Sequence, residues 1–185
     1  MARRDVKTEM ISGAGDLLAT HGVQGASFSL VIEKTGVPRG SIYHHFPGGK
    51  TELVQAAVLA VGAAVTSLID AVEADSPVDV VSTFVEGWRA SLNGGHFERG
   101  CAVAAASNDA TGEPSIRTAA NEVFTSWREA LSRAFVRSGV ERDEADDFAT
   151  LCIAATEGAL VLGRAARSDE VFDVLARQLP RFVGR

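Results

Sequence analysis

The chain has 185 residues, of which 46% are hydrophobic and 23% are charged, a composition that excludes a wholly disordered protein. No uninterrupted apolar run approaches the roughly 18 residues that span a bilayer, and no signal-peptide core is found, so we expect a cytoplasmic protein without a membrane partner. The net charge of −6 argues against a nucleic-acid partner, but it is uneven, because residues 1–52 carry +1 and residues 53–185 carry −7.

The first residues predict two short helices. Apolar residues recur every three or four positions over about 5–21, and Gly22 suits the position just after a helix. Ser27 or Ser29 is a suitable N-cap for a second helix. Gly36 ends this helix, because glycine accepts a left-handed conformation without steric cost.

A third short helix, RGSIYHHF, follows directly, with Pro38 in its first turn and a stop at 47–49. The helical repeat divides it into a hydrogen-bonding face and an apolar face. The first face carries Arg39, Gly40, Tyr43 and His44, and the second carries Ile42, His45 and Phe46.

The remaining sequence predicts further helices and no strand. A long amphipathic connector begins at Lys50, and Ser76 with Pro77 forms an N-cap and first-turn pair. These helices cover about 50–74, 76–94, a short alanine-rich stretch at 101–107, 114–138, 141–167 and 169–182. The predicted fold class is therefore all-α, with about nine helices.

The stretch SFSLVIEKTGVPRGSIYHHFPGGKTEL resembles the DNA-binding signature of the tetracycline-repressor (TetR) family. That signature is a helix, a Gly-Val turn, a recognition helix ending in Tyr-x-x-Phe, and a Lys that opens the fourth helix. The matching positions are Gly36, Val37, Gly40, Tyr43, Phe46 and Lys50. The extra residue in PGGK, Leu30 at a position where a polar residue is frequent, and the later GCAVAA resemble the LmrA/YxaF-type subgroup.

The resemblance implies two domains, an N-terminal helix-turn-helix over 1–52 and a helical effector-binding and dimerisation domain over 53–185. It also implies a homodimeric repressor that is released from a palindromic double-stranded operator by a small molecule, in this subgroup a planar aromatic one. The net negative charge then belongs to the second domain, and the first domain, with a net charge of +1, can bind DNA without strong repulsion. The candidate DNA-binding residues are Ser27, Arg39, Gly40, Ser41, Tyr43, His44 and Lys50.

Two further sets of candidates come from the larger domain. Aromatic and small polar residues on inward stretches suit a pocket, although such residues also form ordinary cores. The pocket candidates are Phe84, Trp88, Cys101, Phe124, Trp127, Cys152 and Thr156. Small residues on the eighth helix, with apolar residues on the ninth, resemble the four-helix dimer interface of the family. These interface candidates are Ala155, Gly158, Ala159, Leu162, Gly163, Val171 and Leu175.

Other functions have less support in the sequence. No phosphate-binding glycine loop, zinc-binding HExxH pair or nucleophile elbow supports an enzyme, and no metal or cofactor is expected. A helical ligand-binding or scaffold dimer without DNA binding is the main alternative, because 53–185 alone fits it. Cys101 and Cys152 are either a thiol redox sensor, which Arg99 would favour at Cys101, or inert buried thiols.

Overall fold

A computed structural model of the chain describes residues 5–109 and 113–183, which form nine α-helices and one turn of 3₁₀-helix, with no strand in these ranges. The prediction of an all-α fold is confirmed. The helices are α1 (Val6–Gly25), α2 (Phe28–Thr35), α3 (Arg39–His45), α4 (Gly49–Asp70), α5 (Pro77–Gly94), α6 (Ala102–Asp109), α7 (Pro114–Arg137), α8 (Arg142–Ala166) and α9 (Glu170–Gln178), and the 3₁₀ turn covers Leu179–Arg181.

The chain packs into two compact units. Of the described residues, the first unit contains those up to Ala64 together with those between Cys101 and Phe124, and the second contains Val65–Gly100 together with those from Thr125 onward. Helices α4 and α7 contribute residues to both units. The predicted boundary between a DNA-binding domain at 1–52 and an effector domain at 53–185 is a division by function, and these packing units do not test it. It stays a prediction.

Local chemistry explains the helix boundaries of the first unit. Asp5 caps α1 by accepting hydrogen bonds from the backbone and hydroxyl of Thr8, and these bonds hold the pKa of the Asp5 carboxyl below its ordinary value. Of the two candidate serines, Ser27 caps α2, with its Oγ 3.3 Å from the backbone nitrogen of Leu30. Gly36 ends α2 in the left-handed conformation, as predicted.

Helix α1 is the central element of the first unit. It packs along α6 on one side and against α2 and α3 on another. The approach to α2 is close at Gly13, where an added Cβ would lie 2.5 Å from the methyl group of Thr35. Asp16 and Lys34 form an ion pair of 3.4 Å between the same two helices. The orientation of the short helices α2 and α3 therefore depends on α1.

The predicted end of α1 at Gly22 is a kink, after which one more helical turn reaches Gly25. Gly22 has φ +67° and ψ −169°, a conformation open essentially to glycine alone, and a Cβ there would lie 2.5 Å from Oδ2 of Asp109. We expect Gly22→Ala to lower the free energy of unfolding by about 1–3 kcal/mol, as measured by urea denaturation. The control is Gly40→Ala, at a helical glycine with open space around its Cβ, which should change stability by less than about 1 kcal/mol and in the stabilising direction. Equal stability of both variants would contradict the argument.

The second unit is organised around α5, which packs against α8, α9 and the 3₁₀ turn. Its core contains the fully buried side chains of Leu92, Trp127, Phe135 and Phe172. Ser76 caps α5 and Pro77 occupies its first turn, as predicted.

Three predicted boundaries differ from the structure. Helix α4 ends at Asp70 rather than near residue 74, because the apolar pattern continues through the following turn. Pro38 precedes α3 as its N-cap instead of lying within its first turn. The single predicted ninth helix becomes α9 and a 3₁₀ turn, at which Pro180 lacks the N–H that an α-helix needs.

Two of these helices, α4 and α8, are long and apolar enough on average to cross a membrane. Amphipathic helices of globular cores pass the same test of length and composition. Both carry charged residues at their ends, and α8 buries Ala149, Cys152, Thr156 and Leu160 along one side. This one-sided pattern is typical of a helix that packs in a protein core.

Candidate functional site

Helix α3 has one buried and one exposed face, as its sequence predicts. Ile42 and Phe46 are fully buried against the first unit, whereas Arg39, Tyr43 and His44 are exposed. Tyr43 keeps 65% of its surface accessible, an unusually large fraction for an aromatic side chain that has no role at the surface. The exposed face therefore presents a guanidinium, a phenol and an imidazole together.

Two contacts around α3 were not predicted from the sequence. The ring of Phe28, in α2, meets the ring of Tyr43 edge to face, with centroids 5.3 Å apart. The ammonium group of Lys7, in α1, lies 5.8 Å from the centroid of the Phe46 ring and adds a cation beside α3. Neither contact has a local signal, because each depends on how separate helices approach one another.

The remaining predicted DNA-binding residues lie on α3 or at the N-termini of α2 and α4. Gly40 is exposed in the first turn of α3, and no atom lies within 4 Å of the position of an added Cβ. Ser41 is half-buried on α3. Lys50 is half-buried in the first turn of α4, and the backbone N–H just before that helix, at Gly48, donates to Glu52 Oε2 at 2.7 Å. Together with the Ser27 cap of α2, all seven candidates belong to the first unit and to α2, α3 or the start of α4.

This arrangement has the chemistry of a surface that recognises phosphate and base edges. Arginine can form two parallel hydrogen bonds to guanine or to a phosphate, and hydroxyl groups donate to phosphate oxygens. A helix N-terminus carrying a lysine offers both a cation and free N–H groups to an anion. The buried side of α3 fixes its orientation, so that these groups are held on a rigid element.

The second unit contains a cavity of about 350 Å³ between the end of α4 and α5. It is partly open to solvent, and its walls are mainly apolar. The lining residues are Val65, Leu68, Ile69, Val72, Thr83, Phe84, Gly87, Trp88 and Ser91. Two of the predicted pocket residues, Phe84 and Trp88, are among them, with ring centroids 6.4 Å apart.

The other five predicted pocket residues do not line this cavity. Trp127 is fully buried behind it, with its ring centroid 5.7 Å from that of Trp88. Cys152 and Thr156 are buried in α8, where the Thr156 hydroxyl donates to the backbone carbonyl of Cys152 at 2.8 Å. Cys101 and Phe124 belong to the first unit. No residue of α4 was among the pocket candidates, because periodicity shows which residues face inward but not where the packing leaves a space.

Both cysteines are buried, and neither forms a disulfide bond. Burial raises the pKa of Cys152 to about 12, so this group stays protonated and unreactive at neutral pH. Cys101 precedes α6, and its sulfur accepts a weak hydrogen bond from the backbone of Ala104 at 3.4 Å. These environments favour inert thiols over a redox pair.

Helices α8 and α9 leave apolar residues exposed. Val161 and Leu162 are 69% and 60% exposed, and Leu151 and Val174 are also exposed. Of the predicted interface residues, Gly158 and Leu162 are exposed, and Ala155, Val171 and Leu175 are half-buried.

The remaining two interface candidates, Ala159 and Gly163, are buried within the unit. A Cβ at Gly163 would lie 2.7 Å from the Leu92 side chain, so this glycine serves the packing of α8 on α5. A dimer contact through α8 and α9 would therefore use the five interface candidates that are exposed or half-buried, and not Ala159 or Gly163.

Two family models match the sequence. Residues 10–57 match the tetR family of bacterial regulatory proteins, and residues 77–178 match the C-terminal domain of LmrA/YxaF-like transcriptional regulators. The first match covers α2, α3 and most of α1. The second covers α5 to α9.

Relatives and solved structures agree with these matches. An uncharacterised HTH-type transcriptional regulator of Mycobacterium tuberculosis is 33% identical over 94% of this chain and 91% of its own length. The regulator YxaF of Bacillus subtilis is 28% identical over 98% of this chain and 97% of its own length, and LmrA of the same organism is 27% identical over 91% of each chain.

In fold, the chain is similar to a TetR regulator from Legionella pneumophila, with a TM-score of 0.84 at 21% identity, covering 99% of this chain and 100% of that one. A TetR protein from Rhodobacter sphaeroides gives 0.83 at 20% identity, covering 95% and 97%. The names of these relatives indicate transcriptional regulators and not enzymes. The chain belongs to the TetR family of transcriptional regulators, and within it to the LmrA/YxaF-like group.

Proposed function

We propose that the protein is a cytoplasmic, ligand-responsive repressor that binds a palindromic operator as a homodimer and is released by a small, planar, largely apolar effector. The observation that carries the DNA-binding part is the two-sided helix α3, with Ile42 and Phe46 buried and Arg39, Tyr43 and His44 exposed. In a helix-turn-helix such an exposed face enters the major groove.

Each exposed group has a role that fits its chemistry. Arg39 reads a guanine or grips a phosphate, and His44 reaches a base edge. Ser41 and Tyr43 donate to phosphate oxygens, as do the helix N-termini at Ser27 and Lys50. The bare surface of Gly40 supports this scheme, because it allows the DNA backbone to approach the start of α3 closely. The phosphate contacts fix the position of the protein on the duplex, and the base contacts determine which DNA sequence it prefers.

The operator sequence can be selected directly from random DNA. Purified wild-type protein is used to select duplexes from a random-sequence library, and the enriched sequences are tested by fluorescence anisotropy at fixed salt. We expect a palindrome whose half-sites lie about one helical turn apart, near 34 Å. If the protein enriches no sequence, or binds the enriched duplex no more tightly than a shuffled one, the proposed repressor function is wrong.

The cavity between α4 and α5 supports an effector of particular character. None of its lining residues is charged, and Phe84 and Trp88 offer aromatic rings. The polar groups at its edge are the hydroxyls of Thr83 and Ser91. A neutral planar ligand with one or two hydrogen-bonding groups is complementary to these walls, whereas a charged ligand would lose its hydration without a partner.

The two tryptophans of the chain allow this site to be tested. We expect planar aromatic compounds found by thermal-shift screening to quench Trp88 fluorescence in a Trp127→Phe variant, because Trp88 lines the cavity. Trp88→Ala should weaken their binding about tenfold or more, since it removes a large stacking surface. Leu151→Ala, at an exposed apolar residue of the same unit outside the cavity, is the control and should bind normally. Unchanged affinity of Trp88→Ala would locate the effector elsewhere.

One helix connects the two sites and supports a route for release. Helix α4 carries Lys50 in its first turn, and it carries the cavity residues Val65, Leu68 and Ile69 in its last turns, 15 to 19 residues further along the same helix. Effector binding that displaces the end of α4 changes the separation of the two recognition helices in the dimer. A coupling free energy of about 1–3 kcal/mol would change operator affinity about five- to 150-fold.

A further inference from the structure

The junction between α1 and α2 depends on a residue from a distant part of the chain. At Gly22 the backbone of α1 leaves the helical conformation, and a further helical turn follows from Val23. Val23 is buried, with 6% of its surface accessible, so its backbone N–H needs an acceptor within the protein. That acceptor is Asp109, whose Oδ2 lies 2.9 Å from the Val23 nitrogen and 86 residues away in sequence.

Two features place the Asp109 carboxylate at the α1–α2 junction: the packing of α6 on α1, and the lack of a side chain at Gly22. Asp109 is the last residue of α6, and α6 packs along α1 within the same unit. On the other side, Gly22 presents no Cβ to the carboxylate, since a Cβ would lie 2.5 Å from Oδ2. A hydrogen bond to a charged acceptor is among the stronger protein hydrogen bonds.

The junction leads directly into the helix-turn-helix. The cap of α2, Ser27, follows Val23 by four residues, and Ala26 between them is fully buried and donates to the Val23 carbonyl at 3.2 Å. Movement of Val23 therefore changes where α2 begins, and α3 follows α2 after a turn of three residues. Asp109 acts on the start of the recognition module without belonging to its exposed face.

We propose that Asp109 is a positioning residue for DNA binding, which holds the α1–α2 junction in its operator-binding conformation by accepting the Val23 N–H. The proposal rests on the DNA-binding function proposed above. Asp109 belongs to α6, within the predicted effector domain at 53–185, and it bonds directly to a residue of the predicted DNA-binding domain at 1–52. Loss of the acceptor lowers the fraction of molecules that are competent to bind, and the apparent affinity falls by the same fraction.

When the Asp109 carboxylate is removed, charge alone predicts tighter operator binding, whereas loss of the hydrogen bond to Val23 predicts weaker binding. The two explanations can therefore be distinguished by measuring operator affinity. Removing a carboxylate lowers the negative charge of the protein and by itself strengthens binding to a polyanion. Asp109→Ala and Asp109→Asn make the same change in charge, but only asparagine keeps an oxygen that can accept the Val23 N–H. Glu122→Ala, at an exposed carboxylate of α7 in the same unit, controls for charge alone.

Two measurements are made on the full-length protein. Operator affinity is measured by fluorescence anisotropy on the duplex that the wild type selects from the random library, and hydrogen exchange at the Val23 amide is measured without DNA. We expect Asp109→Ala to bind about five- to thirtyfold more weakly and to lose protection at Val23. Asp109→Asn should stay within about threefold of the wild type and keep the protection. Glu122→Ala should bind as tightly as the wild type or more tightly.

The proposal is overturned if Asp109→Ala binds as tightly as the wild type, if the alanine and asparagine variants change equally, or if protection at Val23 is unaffected in both. If Asp109→Ala does not fold, Asp109→Leu, whose side chain is branched like that of aspartate but has no hydrogen-bond acceptor, replaces it in both measurements. Failure of the wild type to select any duplex would remove the proposed function and this inference together, whereas the other outcomes concern Asp109 alone.

Discussion

Replacing Arg39 and Tyr43 together by alanine is expected to weaken operator binding at least about 100-fold at matched salt. A bidentate arginine contact to a base contributes about 1–3 kcal/mol, and a hydroxyl contact to phosphate contributes about 0.5–1.5 kcal/mol. A dimer loses each contact twice. Both side chains are exposed, and the contact of the Tyr43 ring with Phe28 is the packing that is lost, so the free energy of unfolding should fall by no more than about 1.5 kcal/mol.

Single variants separate the two roles. Arg39→Ala should relax the preference for one base pair in each half-site, whereas Tyr43→Phe, which keeps the ring contact with Phe28, should weaken binding evenly across sequences. The control is Arg117→Ala, which removes the same charge from an exposed position of α7 in the first unit. If the double variant binds the selected duplex as tightly as the wild type, the assignment of the α3 face is wrong.

The features that the sequence predicted well are those set by a few neighbouring residues. The left-handed end of α2 at Gly36 and the cap of α5 at Ser76 follow from backbone sterics and local hydrogen bonds. The two faces of α3 follow from helical periodicity, since Ile42 and Phe46 are four residues apart and both buried. In each case the information lies within one or two helical turns.

Features that depend on distant residues were not predictable in the same way. Nothing near Val23 indicates that its N–H would be bound by Asp109, and nothing near Tyr43 indicates the ring of Phe28. The cavity shows the same limit, because α4 and α5 are both amphipathic and only their approach decides whether Trp88 meets a side chain or a space. The C-terminal end of α4 shows the same limit of prediction from local sequence. The apolar residue Val72 continues the helical pattern, although the helix ends at Asp70.

The second large effect is expected at the exposed apolar face of α8. Leu162→Glu should convert the dimer to a monomer at micromolar concentration, because a two-fold interface would bury two introduced carboxylates near each other, and an unpaired buried charge costs several kcal/mol. Leu162 is 60% exposed in the single chain, so its replacement should leave the fold of the subunit intact. Sedimentation velocity gives the oligomeric state, and anisotropy on the selected duplex should show weakened binding, since one recognition helix reads only half of a palindrome.

Leu68→Glu is the matched control, because Leu68 is 72% exposed and the chemical change is identical. Leu68 lies on α4 at the cavity, so this variant should remain dimeric and bind operator, while its response to an apolar effector is lost. A dimeric Leu162→Glu variant would move the interface away from this face of α8. A monomeric Leu68→Glu variant would instead make the end of α4 part of the interface. If both variants behave as expected, dimerisation and effector binding use separate apolar surfaces of the second unit. A carboxylate at Leu162 then abolishes the dimer, and a carboxylate at Leu68 abolishes the effector response alone.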